Sequence, residues 1–535
     1  MAFFLTLLYV ALNFFRPEEL LPDVVQYHPM LVLGVLCLLV SVPTLLASDT
    51  AKKSPQGILM LVFLAVVALS EIFSGWWGGL NEVYTHVAPS VICVFLILAN
   101  VDTLFRIRAT MITLLVCSAV LVGQGIAGYY TGYGCDSVTR WAEDPDNAHC
   151  KYAMQQYSFT TDESGEHRGG FIWRIRSVGV LEDPNDFAQF MLVLLPLVWI
   201  AYRKRHAFRN LFVVFIPTAY FLYGMYLTRS RGGLIGLGFL LLFAFRKRLN
   251  TVNATLLSAF AVIGLVALNF AGGRSMSAAA GADRVAAWRD AFMTFRSHPI
   301  LGVGFNRYNE YAPLTAHNSF LLCAAELGLA GLLVWIALWY VSLADVNRFL
   351  KWAPSIATSA RKKLASPAYA SPFLTRQPAM ALAGGGIATD DELDAPDRFP
   401  GERMEHDEIA AATEDWNDDG SVHSPNQGQT DREGTIDGNS EAAAVSEQQS
   451  GIIATCQRYA GALQMSLIAF LVTGWFLSRT YVVLLYILLA LVVVVGALAD
   501  RESGGHLPER KPWARNVVLT TIATLVVIWV WLKMF

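Results

Sequence analysis

The residues of this chain best suited to chemistry lie in short polar stretches between long apolar ones. Thr315-Ala316-His317-Asn318-Ser319-Phe320 opens one apolar run. A histidine in that position takes or holds a proton near neutral pH and so suits a general base; the alternative is a hydrogen-bonded structural histidine. Asn318 or Ser319 has the side chain to cap the next helix. Glu326 falls inside the same run, where a carboxylate is costly and should face other protein groups.

Three further stretches bring arginines or acids to comparable positions. Thr228-Arg229-Ser230-Arg231-Gly232-Gly233 lies between two apolar runs, with a helix expected to begin at the glycines. Helix N-termini favour phosphate, and arginine adds a planar, permanently charged donor. In 283–297, Val285, Trp288, Phe292 and Phe295 form an apolar stripe at helical spacing, bordered by Arg284 and Arg289. This pattern predicts a helix lying at a membrane surface or over a cavity. Pro299 ends it, and Ile300–Phe305 reads as a glycine-bearing turn. Arg176 precedes Glu182-Asp183-Pro184-Asn185-Asp186, where Asp183 or Asn185 can cap a helix whose first turn holds Pro184. The acids beyond that need would contact sugar hydroxyls or pair with Arg229 and Arg231. For each arginine alone, a solvated or headgroup-paired role is the alternative.

The elements that position these groups are membrane helices. Of 535 residues, 54% are hydrophobic and 16% charged, against about a quarter charged in soluble domains; the mean hydropathy is +0.43. Apolar runs long enough to span a bilayer fall near 2–15, 30–47, 57–73, 83–100, 109–128, 182–201, 210–227, 232–246, 251–270, 318–342, 461–478, 481–499 and 514–532. The expected fold is an all-α polytopic membrane protein of about 12–14 transmembrane helices. Residues 1–15 lack the basic start and cleavage site of a signal peptide and read as a first membrane helix. Lysine and arginine cluster in alternate loops, including Lys52/Lys53, Arg203–Arg205 and Arg246–Arg248, which the positive-inside rule places in the cytosol. The stretches 129–181, 228–231 and 271–317 then face outward, and so do all the candidate site residues above except Glu326. Cys135 and Cys150 share one outward loop, where an oxidising compartment favours a disulfide. From Asp390 to Glu447 there are 18 acidic and three basic residues, a composition that reads as a disordered cytosolic loop. No zinc-type cysteine or histidine cluster and no acidic metal motif in the outer loops is apparent, so no metal is expected.

Taken in order, GVLEDPNDFA (179–188), SRGG (230–233), R-x-x-x-W (Arg284 to Trp288) with HPILGVGFN (298–306), and AHNSFL (316–321) with ELGLAG (326–331) resemble the O-antigen ligase/polymerase superfamily of bacterial membrane glycosyltransferases. The resemblance covers about residues 175–340. It implies a fold related to type C glycosyltransferases, with a large periplasmic loop, in the bacterial inner membrane and with the active site facing the periplasm. It implies transfer or polymerisation of an undecaprenyl-diphosphate-linked glycan onto a glycan, lipid A core or protein acceptor, without cofactor, metal or nucleic acid. By the same resemblance His317 is the general base, while Arg231 and Arg284 neutralise the diphosphate. Arg176, Arg229, Arg289, Asp183, Asn185, Asn318 and Glu326 are the candidate substrate-binding residues. The alternatives are a transporter or flippase of lipid-linked sugars and a protein O-oligosaccharyltransferase. The expected organisation is N-terminal transmembrane helices (1–170), a catalytic core (171–345), a cytosolic acidic loop (346–456) and C-terminal transmembrane helices (457–535).

Overall fold

The computed structural model describes residues 1–16, 29–135, 150–161, 167–268, 270, 282–364 and 438–534. The chain divides into two units, Met1–Ala360 with Ser446–Phe535, and Arg361–Val445. The first holds the long apolar helices and every candidate site residue. Most of the acidic stretch expected to be a disordered loop, 365–437, lies outside the described residues.

The longer helices are α1 (Ala2–Phe15), α2 (Pro29–Ala47), α3 (Pro55–Phe73), α4 (Gly79–His86), α5 (Ala88–Asn100), α6 (Leu104–Thr131), α7 (Pro184–Trp199), α8 (Ile216–Thr228), α9 (Arg231–Ala267), α10 (Ala282–Ser297), α11 (Ser319–Leu364), α12 (Gly438–Gly474), α13 (Val483–Glu502) and α14 (Ala514–Met534). Among the described residues, nine helical stretches are long and apolar enough to cross a membrane, and the chain is a multi-pass membrane protein. The expectation of twelve to fourteen spans exceeds this number partly because α1 and α7 are short. Their 14 and 16 residues rise about 21 and 24 Å, against a hydrocarbon core of about 30 Å. The remaining expected spans, 232–246 and 461–478, fall on the first arm of α9 and the end of α12. The two arms of α9 meet at Asn250 (φ 57°, ψ 168°) and pack together, the Ser258 hydroxyl donating to the Gly238 carbonyl.

Sequence composition decides which helices lie inside. Every residue of α13 from Val483 to Val495 is buried, as expected of a helix that is apolar all round. In α7 every residue from Pro184 to Val198 except Asn185 is buried, and it packs against α8 and α9. By contrast α14 fully buries only Val517, Thr521 and Ile528, and residues such as Leu519, Ile522, Val526 and Trp529 are exposed. Polar residues join helices where burial forbids water: Asn100 of α5 donates to Ser41 of α2 (2.8 Å) and Thr6 of α1 (3.1 Å), and Gln189 of α7 donates to Thr473 of α12 (2.7 Å).

Two features depart from simple spanning helices. The loop between α6 and α7 carries an antiparallel hairpin, β1 (Ala153–Thr161) and β2 (His167–Ile175), with Met154 opposite Arg174. A disulfide joins Cys135 to Cys150 at its base. Second, α11 is broken at Gly328 (φ 63°, ψ −160°), and the 298–305 loop fills the break. Val303 and Gly304 donate to the carbonyls of Ala325 and Glu326 (3.0 and 3.1 Å), while Leu329 and Ala330 donate to those of Pro299 and Ile300 (2.8 and 3.2 Å). A broken helix at this depth is tolerable because the freed backbone groups find protein partners. The Ile300–Phe305 stretch is the expected glycine-bearing turn, with Gly302 and Gly304 at positive φ, and backbone hydrogen bonds insert it into the break in α11. Its backbone runs so close to α11 that a Cβ on Gly302 would meet the Glu326 carbonyl carbon at 2.2 Å.

Candidate active site

Loops from one end of the bundle converge here. The Asp183 side chain caps α7, accepting from the Asn185 amide (2.6 Å). The Asn185 side chain in turn accepts from Arg174 (2.9 Å) and from the Ser230 hydroxyl (2.9 Å). Arg174 also donates to the Thr228 carbonyl (2.7 Å), so the end of β2, the start of α7 and the α8–α9 turn are held as one piece. Ser230 is the N-cap of α9, its hydroxyl accepting from the Gly233 amide (3.1 Å). The helix thus begins at Arg231, one residue before the expected glycines, and the Gly233 amide is occupied by the cap.

Arg231, Arg284, Asp183, Asn185 and His317 line one cavity of about 280 Å³, with Arg174, Asp283 and Leu314 in its walls. The helix α10 brings Arg284 there by laying Trp288, one turn on, against Trp531 of α14 (ring centroids 4.5 Å) and Trp475 at the end of α12 (6.2 Å). Of the expected stripe on α10, Trp288 is buried while Val285, Phe292 and Phe295 are half-buried; the buried face is centred instead on Ala287, Trp288 and Ala291. Burial lowers the Arg284 pKa; the neighbouring Arg231 charge lowers it further and Asp183 opposes. His317 sits in the left-handed region (φ 48°), a conformation in which histidine is enriched among non-glycine residues. Its imidazole pKa is depressed by burial and then by the Arg284 charge, against the opposing charge of Asp183. A depressed pKa keeps the ring neutral and able to accept a proton at neutral pH.

Other candidate residues have different places. Arg176 donates twice to the Cys150 carbonyl (3.2 and 2.6 Å), bracing the disulfide to the hairpin. Arg229 ends α8 in the left-handed region, its guanidinium 3.9 Å from the centroid of the Tyr226 ring. Arg289 is exposed on α10. None of these three lines the cavity. Asn318 is the cap of α11: its carbonyl oxygen accepts from Phe320 and Leu321, and its amide donates to the Trp475 carbonyl (3.0 Å). Glu326 is 3% exposed and lines an adjoining cavity. Of the surplus acids in the 182–186 segment, buried Asp186 pairs not with an arginine of the α8–α9 turn, one of the two roles expected of it, but with Arg479.

Arg479 is the residue that sequence reasoning missed. It lies on the turn between α12 and α13, which is riveted to the start of α11: Ser319 accepts from the Arg479 amide (2.8 Å) and donates to the Leu477 carbonyl (2.6 Å), and Thr480 donates to the Ser319 carbonyl (2.8 Å). Burial lowers the Arg479 pKa to about 10, with the charges of Asp183 and Glu182 opposing. A signal for it exists in the sequence: it is an arginine in a short loop on the side where the positive-inside rule expects few basic residues.

The family model of O-antigen ligase matches residues 216–336. The chain thus carries an O-antigen ligase domain. The matched stretch holds α8, the α8–α9 turn, α10 and the start of α11, and with them Arg231, Arg284 and His317. The ligase domain gives the chain an O-antigen ligase/polymerase-type function in general terms, acting on a lipid-linked glycan donor and a glycan acceptor in a membrane. Asp183 and Asn185 come from outside the domain and complete its cavity walls, and Arg479, also outside it, lines the adjoining cavity. No curated protein matches the chain.

Proposed function

We propose that this protein transfers or polymerises an oligo- or polysaccharide from an undecaprenyl-diphosphate carrier onto an acceptor hydroxyl at the periplasmic face of the bacterial inner membrane. One observation carries the reading: Arg231, Arg284 and His317 line a single small cavity, so two fixed cations and a neutral base meet where one glycosidic bond can lie. His317 takes the proton of the acceptor hydroxyl. The acceptor oxygen bonds to the anomeric carbon, the bond from that carbon to the diphosphate oxygen breaks, and its electron pair stays with the diphosphate. Arg231 and Arg284 stabilise that developing charge in a partly dry site. The basic loops at the other end of the bundle support a periplasmic placement of this one.

The test is turnover by purified protein in nanodiscs with an undecaprenyl-diphosphate oligosaccharide and a set of hydroxyl acceptors. Extended acceptor and released undecaprenyl diphosphate are expected in equal amounts. Passage of the intact lipid-linked sugar across liposomes with no bond cleaved would support a transporter and overturn the reading.

A further inference from the structure

The wall bearing His317 has two sides. Beyond it lies a larger cavity of about 510 Å³, and Asp183, Asn185 and His317 line both. The two spaces differ in chemistry. The smaller sets three arginines against two acids. In the larger, Asp183, Asp186 and Glu326 face Arg16, His86 and Arg479, and Asp186 already neutralises Arg479. The rest of its polar lining is amide and hydroxyl, including Asn13, Thr85, Ser90 and Asn309. Two ionisable groups there have unused hydrogen-bonding positions: Oε2 of Glu326 and Nε of Arg479 have no partner among the described residues. Buried polar atoms without partners are rare and ask for an explanation.

We infer that the larger cavity is the acceptor subsite and that it takes an uncharged, hydroxyl-bearing saccharide. The assignment rests on the transfer reading above. A hydroxyl both donates and accepts, so a sugar satisfies the idle carboxylate oxygen and the idle guanidinium N–H together. A phosphate or carboxylate on the acceptor would satisfy only the second, and the guanidinium it would meet is already neutralised by Asp186. His317, on the shared wall, stands between this subsite and the arginine-lined cavity. Asn13 on α1, Thr85 on α4 and Ser90 on α5 lie outside the ligase domain, so acceptor choice is set largely by the N-terminal helices.

The experiment measures acceptor KM and, separately, the Kd for glycan-free undecaprenyl diphosphate, in wild type, Asn309→Leu and Thr85→Val. Each side chain is half-buried or exposed, so the fold should survive. Acceptor KM should rise about fivefold per lost hydrogen bond, the Kd for undecaprenyl diphosphate should stay within twofold, and a neutral acceptor should be preferred to its phosphorylated form. A raised Kd with unchanged acceptor KM, or no change in either, overturns the assignment while leaving transfer intact. A wild type that turns over no acceptor at all removes the transfer reading itself, and the acceptor subsite with it.

Discussion

The indole N–H of Trp288 donates to the backbone carbonyl of His317 at 3.3 Å. Trp288 and Arg284 lie one turn apart on α10, so this bond ties the arginine and the histidine of the cavity to one aromatic anchor. Trp288→Phe keeps most of the packing against Trp531 and Trp475 but loses the donor. The loss of one neutral hydrogen bond costs about 0.5–1.5 kcal/mol of stability, so the melting temperature should fall only slightly, while kcat should fall because the His317 backbone loses its tie to α10. Trp288→Ala should lower the melting temperature much further, since emptying such a site costs about 3–5 kcal/mol. Turnover and melting of the two variants, measured side by side, separate the two effects.

The docking of the 298–305 loop into the break in α11 depends on glycine. Gly302 and Gly328 both have positive φ (72° and 63°), and a Cβ on Gly328 would meet the Ile300 carbonyl carbon at 2.3 Å. The backbone conformation alone costs about 1–3 kcal/mol for another residue, and the contact adds to it. Gly302→Ala and Gly328→Ala should each yield little folded protein by fluorescence-detected size exclusion. Gly264→Ala, where nothing lies within 4 Å, should be neutral and serves as the control.

Much of this architecture is legible in the sequence. Long apolar runs mark the helices, and arginines on the side where the positive-inside rule expects few point to Arg231 and Arg284. Sequence reports the side of a membrane, however, and not the rotation of a side chain about its helix. That is why Arg229 folds back on Tyr226 and Arg289 faces outward although both border the right segments. The Asp186–Arg479 pair joins residues far apart in the chain, so no local pattern records it. The break at Gly328 is hidden because ELGLAG fits an apolar helix, and hydropathy does not register that a distant loop will satisfy the freed carbonyls. The β1–β2 hairpin escapes notice because it sits in a polar loop of an otherwise helical chain.

The pH dependence of transfer depends on the causes acting on His317. Burial and then the Arg284 charge lower its pKa, and Asp183 opposes. A base acts deprotonated, so the rate should rise with pH through this lowered value, with its half-maximum below about pH 6.5, the ordinary imidazole value. Arg284→Gln removes one of the two lowering causes and should move the acid limb of its residual kcat/KM to higher pH. An acid limb that stays in place in that variant would assign the titration to another group.

The Asp186–Arg479 pair lends itself to a double-mutant cycle. Asp186 is 4% exposed, and removing one partner of a buried pair leaves an uncompensated charge at a cost of about 3–5 kcal/mol. Arg479 keeps some exposure, which places the expected loss at the lower end of that range. Asp186→Leu and Arg479→Met should each lower the melting temperature, and the double variant should recover much of the loss. Strict additivity would show that the two side chains do not act as a pair.

The central claim is that His317 accepts the acceptor proton in an arginine-lined cavity. The most direct measurement is single-turnover transfer by His317→Ala in nanodiscs, taken together with its Kd for undecaprenyl diphosphate and its melting temperature. Loss of transfer by about 10²–10⁴-fold, the usual contribution of general base catalysis, with donor binding and melting unchanged, is the result the geometry predicts. Transfer near the wild-type rate would contradict it and move the base elsewhere in the cavity.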